Sequence, residues 1–336
     1  MSARADVIPV FVPHLGCAQR CVFCNQRRIA GQSRPATAED VRAAIENARS
    51  VPRGEKRELA FYGGSFTAIP TAMQEELLGA AKAALDAGEI DAIRLSTRPD
   101  AIDAETLERL KAYGVETVEL GAQSMDDTVL AMSKRGHTAG DVFRASAMVK
   151  AAGFRLILQM MTGLPGDTPG RCVETARRVI KCAPDGVRIY PTVIVKDTEL
   201  YDLWLAGEYR EHSVEDAVSI CARIKPLFER AGIPVIRLGL NPTEELSAGA
   251  AVAGAYHPAL GELVKSRILF DRACALLKDA APGSRIVLEV HPSQLSQMIG
   301  QHRQNLIKLK ERFQLAELTI RPGGCEIGEI RIDICT

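Results

Sequence analysis

Seven short runs of β-forming residues alternate with amphipathic helical stretches over the first 238 positions, and few folds accommodate that rhythm. The strands are expected at Val7–Phe11, Leu59–Tyr62, Ala92–Ser96, Thr117–Leu120, Arg155–Met161, Gly186–Tyr190 and Val235–Leu238. Between them fall helices such as Ala38–Ala48, Ala72–Ala84, Ala104–Ala112, Ala139–Lys150 and Arg171–Ile180, each with core-facing periodicity. Strands separated by helices pair in parallel through right-handed crossovers, so the expectation is an α/β fold, either a barrel or an open sheet. The Gly-rich and polar motifs each follow a predicted strand: the cysteine loop after the first, Gly63-Gly64-Ser65-Phe66 after the second, Thr97-Arg98-Pro99-Asp100 after the third, Gly121-Ala122-Gln123-Ser124 after the fourth and Gly163-Leu164-Pro165-Gly166 after the fifth. Parallel strands carry their C-terminal ends to one face, where such a fold keeps its chemistry.

Beyond Gly239 the rhythm gives way to a Gly/Ala-rich stretch through Tyr256-His257-Pro258 and a long helix from about Glu262 to Lys278. A Pro282-Gly283-Ser284 turn opens a small unit read as strand Ile286–Val290, helix, an Ile299-Gly300 turn, helix Asn305–Phe313, and strands Leu318–Arg321 and Glu329–Ile334. The expected division is a barrel domain over 1–275 and a small α/β domain over 276–336.

Composition excludes little else. The 336 residues are 46% hydrophobic and 25% charged, with 42 basic and 42 acidic side chains, so disorder is not expected and no global field recruits a polyanion. The apolar run Val7–Pro13 is too short and too broken by proline to span a membrane, so no membrane partner and a cytoplasmic location are expected. Nine cysteines is an odd number, and three crowd into eight residues, unlike a secreted disulfide framework.

Cys17-Ala-Gln-Arg-Cys21-Val-Phe-Cys24 puts three sulfurs on one loop, and no fourth cysteine follows until Cys172. Three thiolates can hold three irons of a [4Fe–4S] cube and leave the fourth open, which is what separates a catalytic metal centre from a closed one. S-adenosylmethionine is the cofactor whose radical chemistry an open iron would serve. A zinc site completed by His14, or three buried structural cysteines, are the alternatives the residues leave.

With an aromatic residue before the last cysteine, the loop resembles the signature of radical S-adenosylmethionine enzymes, which implies a partial (β/α)6 barrel. From about Ile8 to Lys265 the chain is similar to the radical domain of the catalytic subunit of Elongator, a tRNA wobble-uridine modifying enzyme, and its bacterial relatives. The stretches that carry this are Gly63-Gly-Ser-Phe66, Ser96-Thr-Arg-Pro-Asp100, Glu119-Leu-Gly-Ala-Gln-Ser124, Ser133-Lys-Arg-Gly-His-Thr138, Gln159-Met-Met-Thr-Gly-Leu-Pro-Gly166, Arg188-Ile-Tyr-Pro-Thr192, Thr198–Trp204 and Tyr256-His-Pro-Ala259.

The resemblance implies that Gly63, Gly64 and Ser65 meet the methionine amino group, and that Gln123, Arg135 and Gln159 line the cofactor cavity, Arg135 taking the carboxylate. Tyr190 would wall the adenine, with a plain core tyrosine as its alternative. His137 and His257 could move protons, although satisfied structural histidines serve as well. It further implies reductive cleavage of S-adenosylmethionine to a deoxyadenosyl radical, fed by an electron donor such as flavodoxin or ferredoxin, for modification of RNA, with tRNA as the leading substrate. Fewer than 80 residues follow Ala259, so a stand-alone relative without the acetyltransferase domain is expected. Lys56 lies where the relatives place an acetyl-CoA contact, and a strand-end charge is the plainer expectation.

Met298-Ile-Gly300-Gln-His-Arg303, between two predicted helices, resembles the turn of a KH-type RNA-binding module, with Arg303 where the second glycine would stand. Gly300, Arg303 and Lys308 are the candidate RNA contacts, against a solvated helix face on a capping domain. Two other readings stay open: an RNA-binding iron–sulfur protein without turnover, and a radical enzyme acting on a small molecule such as a porphyrin.

Overall fold

A computed structural model describes residues 6–12, 21–25, 34–240 and 249–335. Seven strands, β1 (Asp6–Val12), β2 (Arg57–Gly63), β3 (Ala92–Thr97), β4 (Val115–Gln123), β5 (Arg155–Thr162), β6 (Gly186–Pro191) and β8 (Val235–Leu238), form one sheet in that order, every neighbouring pair parallel. The expected α/β partial barrel of parallel strands is therefore present, each expected strand being found and most extended by one to three residues. The crossovers are α1 (Ala38–Arg49), α2 (Thr71–Asp86), α3 (Ala104–Ala112), α4 (Asp127–Met132), α5 (Ala139–Ala151) and α6 (Pro169–Lys181). Further along lie α7 (Glu199–Leu205) and α8 (Val214–Arg230).

Side-chain capping explains where these helices start. Thr37 and Thr138 make capping boxes with Asp40 and Asp141, and Thr168 accepts from the Arg171 amide ahead of a proline at the first helical position. Each such cap is worth about 1 kcal/mol. One sheet face carries Leu59, Phe61, Ile93, Leu95, Val118, Leu120, Leu156, Leu158, Val187 and Ile189, and the helices contribute Val41, Leu77, Leu110, Val142 and Val179, all essentially buried. A short antiparallel ribbon of β7 (Val193–Val195) and β9 (Ala251–Gly254) was not legible in the Gly/Ala-rich stretch. It folds as a ribbon because Gly254, at φ +92°, lets the chain pass within van der Waals reach of the Thr192 carbonyl.

The chain divides into two compact units, one of residues up to Ser213 with Ile224–Tyr256, the other of Val214–Arg223 with the residues from His257 on. In the second, β10 (Arg285–Val290) lies between β11 (Glu317–Pro322), parallel to it, and β12 (Ile330–Cys335), antiparallel. α9 (Leu260–Leu276), α10 (Leu295–Ile299) and α11 (Gln304–Arg312) belong to the same unit. The sequence boundary at 275/276 falls one helix too late. Leu269 and Ala273 of α9, with Leu277, share a core with Ile286, Leu288, Val290, Met298 and Leu309, so α9 closes the small sheet.

Candidate functional site

The C-terminal ends of the parallel strands gather the expected motifs. Cys21 and Cys24 lie on one turn, the Cys24 amide donating to the Cys21 carbonyl at 3.0 Å. Cys17, the third expected ligand, and His14, the alternative zinc ligand, lie outside the described residues. The residues between the two cysteines anchor the loop. Val22 is 1% exposed and packs with Ile194, Leu200 and Tyr209, while Phe23, Tyr201 and Trp204 press on the same cluster. The Val22 amide donates to the Ser133 carbonyl, the Leu200 amide donates to the Val22 carbonyl, and Asn25 Nδ2 donates to the carbonyls of Lys196 and Asp197.

Arg135 meets this loop. It sits between Lys134 and Gly136, both left-handed (φ +51° and +72°), and that double reversal turns a charged side chain inward until Arg135 is 8% exposed. Its Nη1 donates to Cys21 Sγ at 3.2 Å and its Nη2 to the Gly121 carbonyl at 2.8 Å. Its own carbonyl accepts from Arg98 Nη2 at 2.7 Å, and Arg98 is forked onto Asp100 at 2.9 and 2.7 Å. Arg98 and Asp100 were visible only as a motif; the structure makes them the brace behind Arg135.

Gln123 ends β4 at φ +63°, beyond a register shift between Gly121 and Gln123, and its Oε1 is buried without a partner. A side chain on Gly121 would come within 2.9 Å of Gln123 Nε2 and 3.3 Å of Arg135 Nη2, so glycine keeps these two groups together. Ser133 Oγ, Arg135 Nε and His137 Nδ1 are likewise buried with no hydrogen-bond partner. Buried polar atoms are normally satisfied, so these four, close together in the chain, are candidates for contact with a polar ligand.

The remaining expected residues divide. Gly63, at φ +100°, turns the chain at the end of β2, beside the Val12 carbonyl. Ser65 is buried, and its hydroxyl is 2.9 Å from Thr97 Oγ1 while accepting from the Arg98 amide, so it ties the ends of β2 and β3 together. His137 is a structural histidine: burial, and then the neighbouring Arg135 charge, depress its pKa to about 4, and as the neutral ring its Nε2–H donates to the Ala122 carbonyl at 3.1 Å. His257 accepts from the Ala259 amide through Nδ1.

Gln159 and Tyr190 belong to a different constellation, deeper in the sheet. Glu119, fully buried, accepts from Gln159 Nε2 at 2.9 Å and from the Tyr62 hydroxyl at 3.2 Å, and lies 2.9 Å from both Arg94 Nη2 and Arg188 Nε. Arg94 continues to Glu58 at 2.7 Å, Glu58 to Lys56 at 3.2 Å, and Lys56 to Glu116 at 2.7 Å. Burial, joined by Glu119, pushes the Tyr62 hydroxyl well up, and burial raises Tyr190. Lys56 is the strand-end charge expected, held by ion pairs to two carboxylates. The signal missed was charge inside strands: Glu58, Arg94, Glu119 and Arg188 interrupt apolar β runs, where unpaired charges are not tolerated.

In the second unit Gly300 (φ +78°) is followed by His302 and Arg303, both left-handed (φ +49° and +61°). Asn305 Nδ2 holds the turn through Ser266 Oγ and the Met298 carbonyl. Gly300 and Lys308 line a cleft of about 700 Å³ together with Phe270, Arg267 and Gln304, and Arg303 is exposed.

A parallel half-barrel with a cysteine loop, an inward arginine and a partnerless amide oxygen at its strand ends has the make-up of a cofactor-dependent enzyme with its site on that rim. The chain belongs to the radical SAM superfamily, whose profile matches residues 11–179; a profile described as the Radical_SAM C-terminal domain matches 184–269. The tRNA uridine(34) acetyltransferase of Methanocaldococcus infernus is 27% identical over 248 residues, 66% of this chain and 45% of that protein. Elongator complex protein 3 of Saccharomyces cerevisiae is 29% identical over 210 residues, 56% of this chain and 38% of that one. The chain thus spans less than half the length of these curated relatives. The solved Elp3 of M. infernus with residues 1–46 deleted shares the fold, with a TM-score of 0.64 at 22% identity, over 84% of this chain and 70% of that one. No helix of the described residues is long and apolar enough to cross a membrane.

Proposed function

We propose that this chain is an iron–sulfur enzyme that cleaves S-adenosylmethionine reductively to modify RNA, with tRNA as its substrate class. The observation that carries the reading is the convergence of Cys21, Arg135 and the partnerless Gln123 Oε1 on one set of strand ends. In this reading Cys17, Cys21 and Cys24 hold a [4Fe–4S] cluster. When bound, the cluster and its S-adenosylmethionine supply a carbon radical able to abstract hydrogen.

The chain's own residues do the rest. Gln123 Oε1 would be free to accept a hydrogen bond from the cofactor's amino group, and Gly63, Gly64 and Ser65, at the end of β2, would meet the same group. Arg135 would take the cofactor carboxylate, each of its Nη nitrogens carrying a second proton beyond those already donated. Tyr190 and Gln159 contribute from the ladder of charges below, Tyr190 as an apolar wall and Gln159 by keeping Glu119 in place. His137, its pKa depressed to about 4 by burial and the Arg135 charge, supports the Ala122 peptide. In the second unit Gly300, Arg303 and Lys308 would contact the RNA backbone, two cations adding a salt-dependent term. The relatives' names support tRNA as the substrate. An electron donor of the flavodoxin or ferredoxin kind is required, and a reducing cytoplasm suits a chain whose described cysteines form no disulfide.

Anaerobic reconstitution with iron and sulfide, then dithionite and S-adenosylmethionine, tests this. Deoxyadenosine and methionine are expected in equal amounts, and nucleoside mass analysis of tRNA from a deletion strain should lack one modified base. Cluster-loaded protein that yields no deoxyadenosine would leave only an RNA-binding iron–sulfur protein.

A further inference from the structure

Arg135 makes a contact that anchoring a cofactor carboxylate does not call for. Its Nη1 lies 3.2 Å from Cys21 Sγ, the sulfur of an expected cluster ligand. The guanidinium is 8% exposed and directed from two sides: Nη2 is fixed on the Gly121 carbonyl, and the Arg135 carbonyl is fixed by Arg98, itself forked onto Asp100. The loop is tied to the same segment, because the Val22 amide, next to Cys21, donates to the Ser133 carbonyl two residues before Arg135. Cys21 and Arg135 are thus held against each other by backbone as well as side chain.

We infer that Arg135 is a positioning residue for the cluster, donating a charge-assisted hydrogen bond to the Cys21 thiolate and so raising the cluster's reduction potential. The inference rests on the proposed [4Fe–4S] site. Its physical basis is that each added electron makes the cluster more negative, and a buried cation hydrogen-bonded to a ligating sulfur offsets that charge. Hydrogen bonds to sulfur are among the terms that set iron–sulfur potentials. The Asp100–Arg98 fork has the secondary role of keeping the guanidinium aimed at sulfur.

The experiment is an EPR-monitored redox titration of reconstituted wild type, Arg135→Gln, Arg135→Lys and Asp100→Asn, each without S-adenosylmethionine. At the wild-type midpoint, Arg135→Gln should show a reduced-to-oxidised ratio about tenfold lower, equivalent to ~59 mV for one electron. Arg135→Lys should recover part of the loss, and Asp100→Asn should shift the potential in the same direction by less. If Arg135 serves only the cofactor carboxylate, the cofactor-free potentials will coincide and only the affinity for S-adenosylmethionine will change, which overturns the inference. Should Arg135→Gln fail to retain a cluster, Asp100→Asn decides: a shift towards more negative potential supports the inference and an unchanged potential ends it. Wild type that takes up no cluster refutes the proposed site itself, an outcome distinct from a loaded protein with an unmoved potential.

Discussion

Two groups of charged and polar side chains occupy the parallel sheet, and they are built on opposite terms. In the ladder Lys56–Glu58–Arg94–Glu119–Arg188 each charge has an opposite charge within 3.2 Å, and Gln159 and Tyr62 fill the remaining positions on Glu119. At the strand ends Gln123 Oε1, Ser133 Oγ, Arg135 Nε and His137 Nδ1 are buried without partners. Ion pairing holds the ladder together, even though Arg94 Nε within it is also buried without a hydrogen-bond partner, whereas the strand-end set is mostly neutral groups beside one arginine. The contrast separates scaffold from site although both are polar, buried and on neighbouring strands.

The largest effect should come from the cysteines. Cys21→Ser and Cys24→Ser are expected to abolish iron uptake and deoxyadenosine formation while moving the urea midpoint little, as iron analysis and denaturation would show. If either variant unfolds the apo-protein, the rim is as structural as the ladder and the contrast fails.

The ladder should respond the other way. Glu119→Leu leaves Arg94 and Arg188 buried without their shared carboxylate, so a loss of about 3–5 kcal/mol is expected by urea denaturation. Adding Arg94→Met and Arg188→Met should restore much of it, since a buried ionic network is often replaceable by apolar packing of similar volume. A loss below about 1 kcal/mol for Glu119→Leu would show that the ladder is not what closes the sheet.

His137 gives a pH test that lies between the two. Its pKa falls from 6.5 in the unfolded chain to about 4 in the fold. A depressed pKa means that the unfolded state binds the extra proton first as pH drops. The stability held by the neutral ring is therefore complete above pH 6.5 and is lost as pH falls towards 4, by up to about 3 kcal/mol. His137→Gln should flatten that part of the stability–pH profile; an unchanged slope would assign it to other groups.

The smallest effect is expected in the second unit. Arg303 occupies a left-handed backbone conformation at φ +61°, which costs a non-glycine residue about 1 kcal/mol. Arg303→Gly should stabilise the chain by roughly that amount and lower the salt slope of RNA retention by about one. Higher stability with unchanged retention would make the turn a capping element only.

The strands and the motifs that follow them were legible because parallel strands in α/β proteins are continuous apolar runs and their loops follow them directly. Val235–Leu238 is the strand the sequence pattern predicts, to the residue. The division at 275/276 was misplaced because the periodicity of Leu260–Leu276 shows that a helix has a buried face, not which sheet that face meets. The β7–β9 ribbon was missed because Gly and Ala carry no β signal, and the close approach to Thr192 that requires glycine at 254 is seen only in three dimensions. Gln159 was placed in the cofactor cavity by its motif, whereas its amide is taken by Glu119, forty positions earlier in the chain.

The sequence by itself determined the class of fold and which end of the sheet gathers the Gly-rich and polar motifs, because these follow from local periodicity and from residues adjacent in the chain. Only the tertiary structure decided which charges are closed into the ladder and which face the site, and that Arg135 reaches Cys21, 114 positions away. Pairings of that kind depend on strand register and on left-handed turns at Gln123 and Lys134, and neither writes a pattern into neighbouring residues.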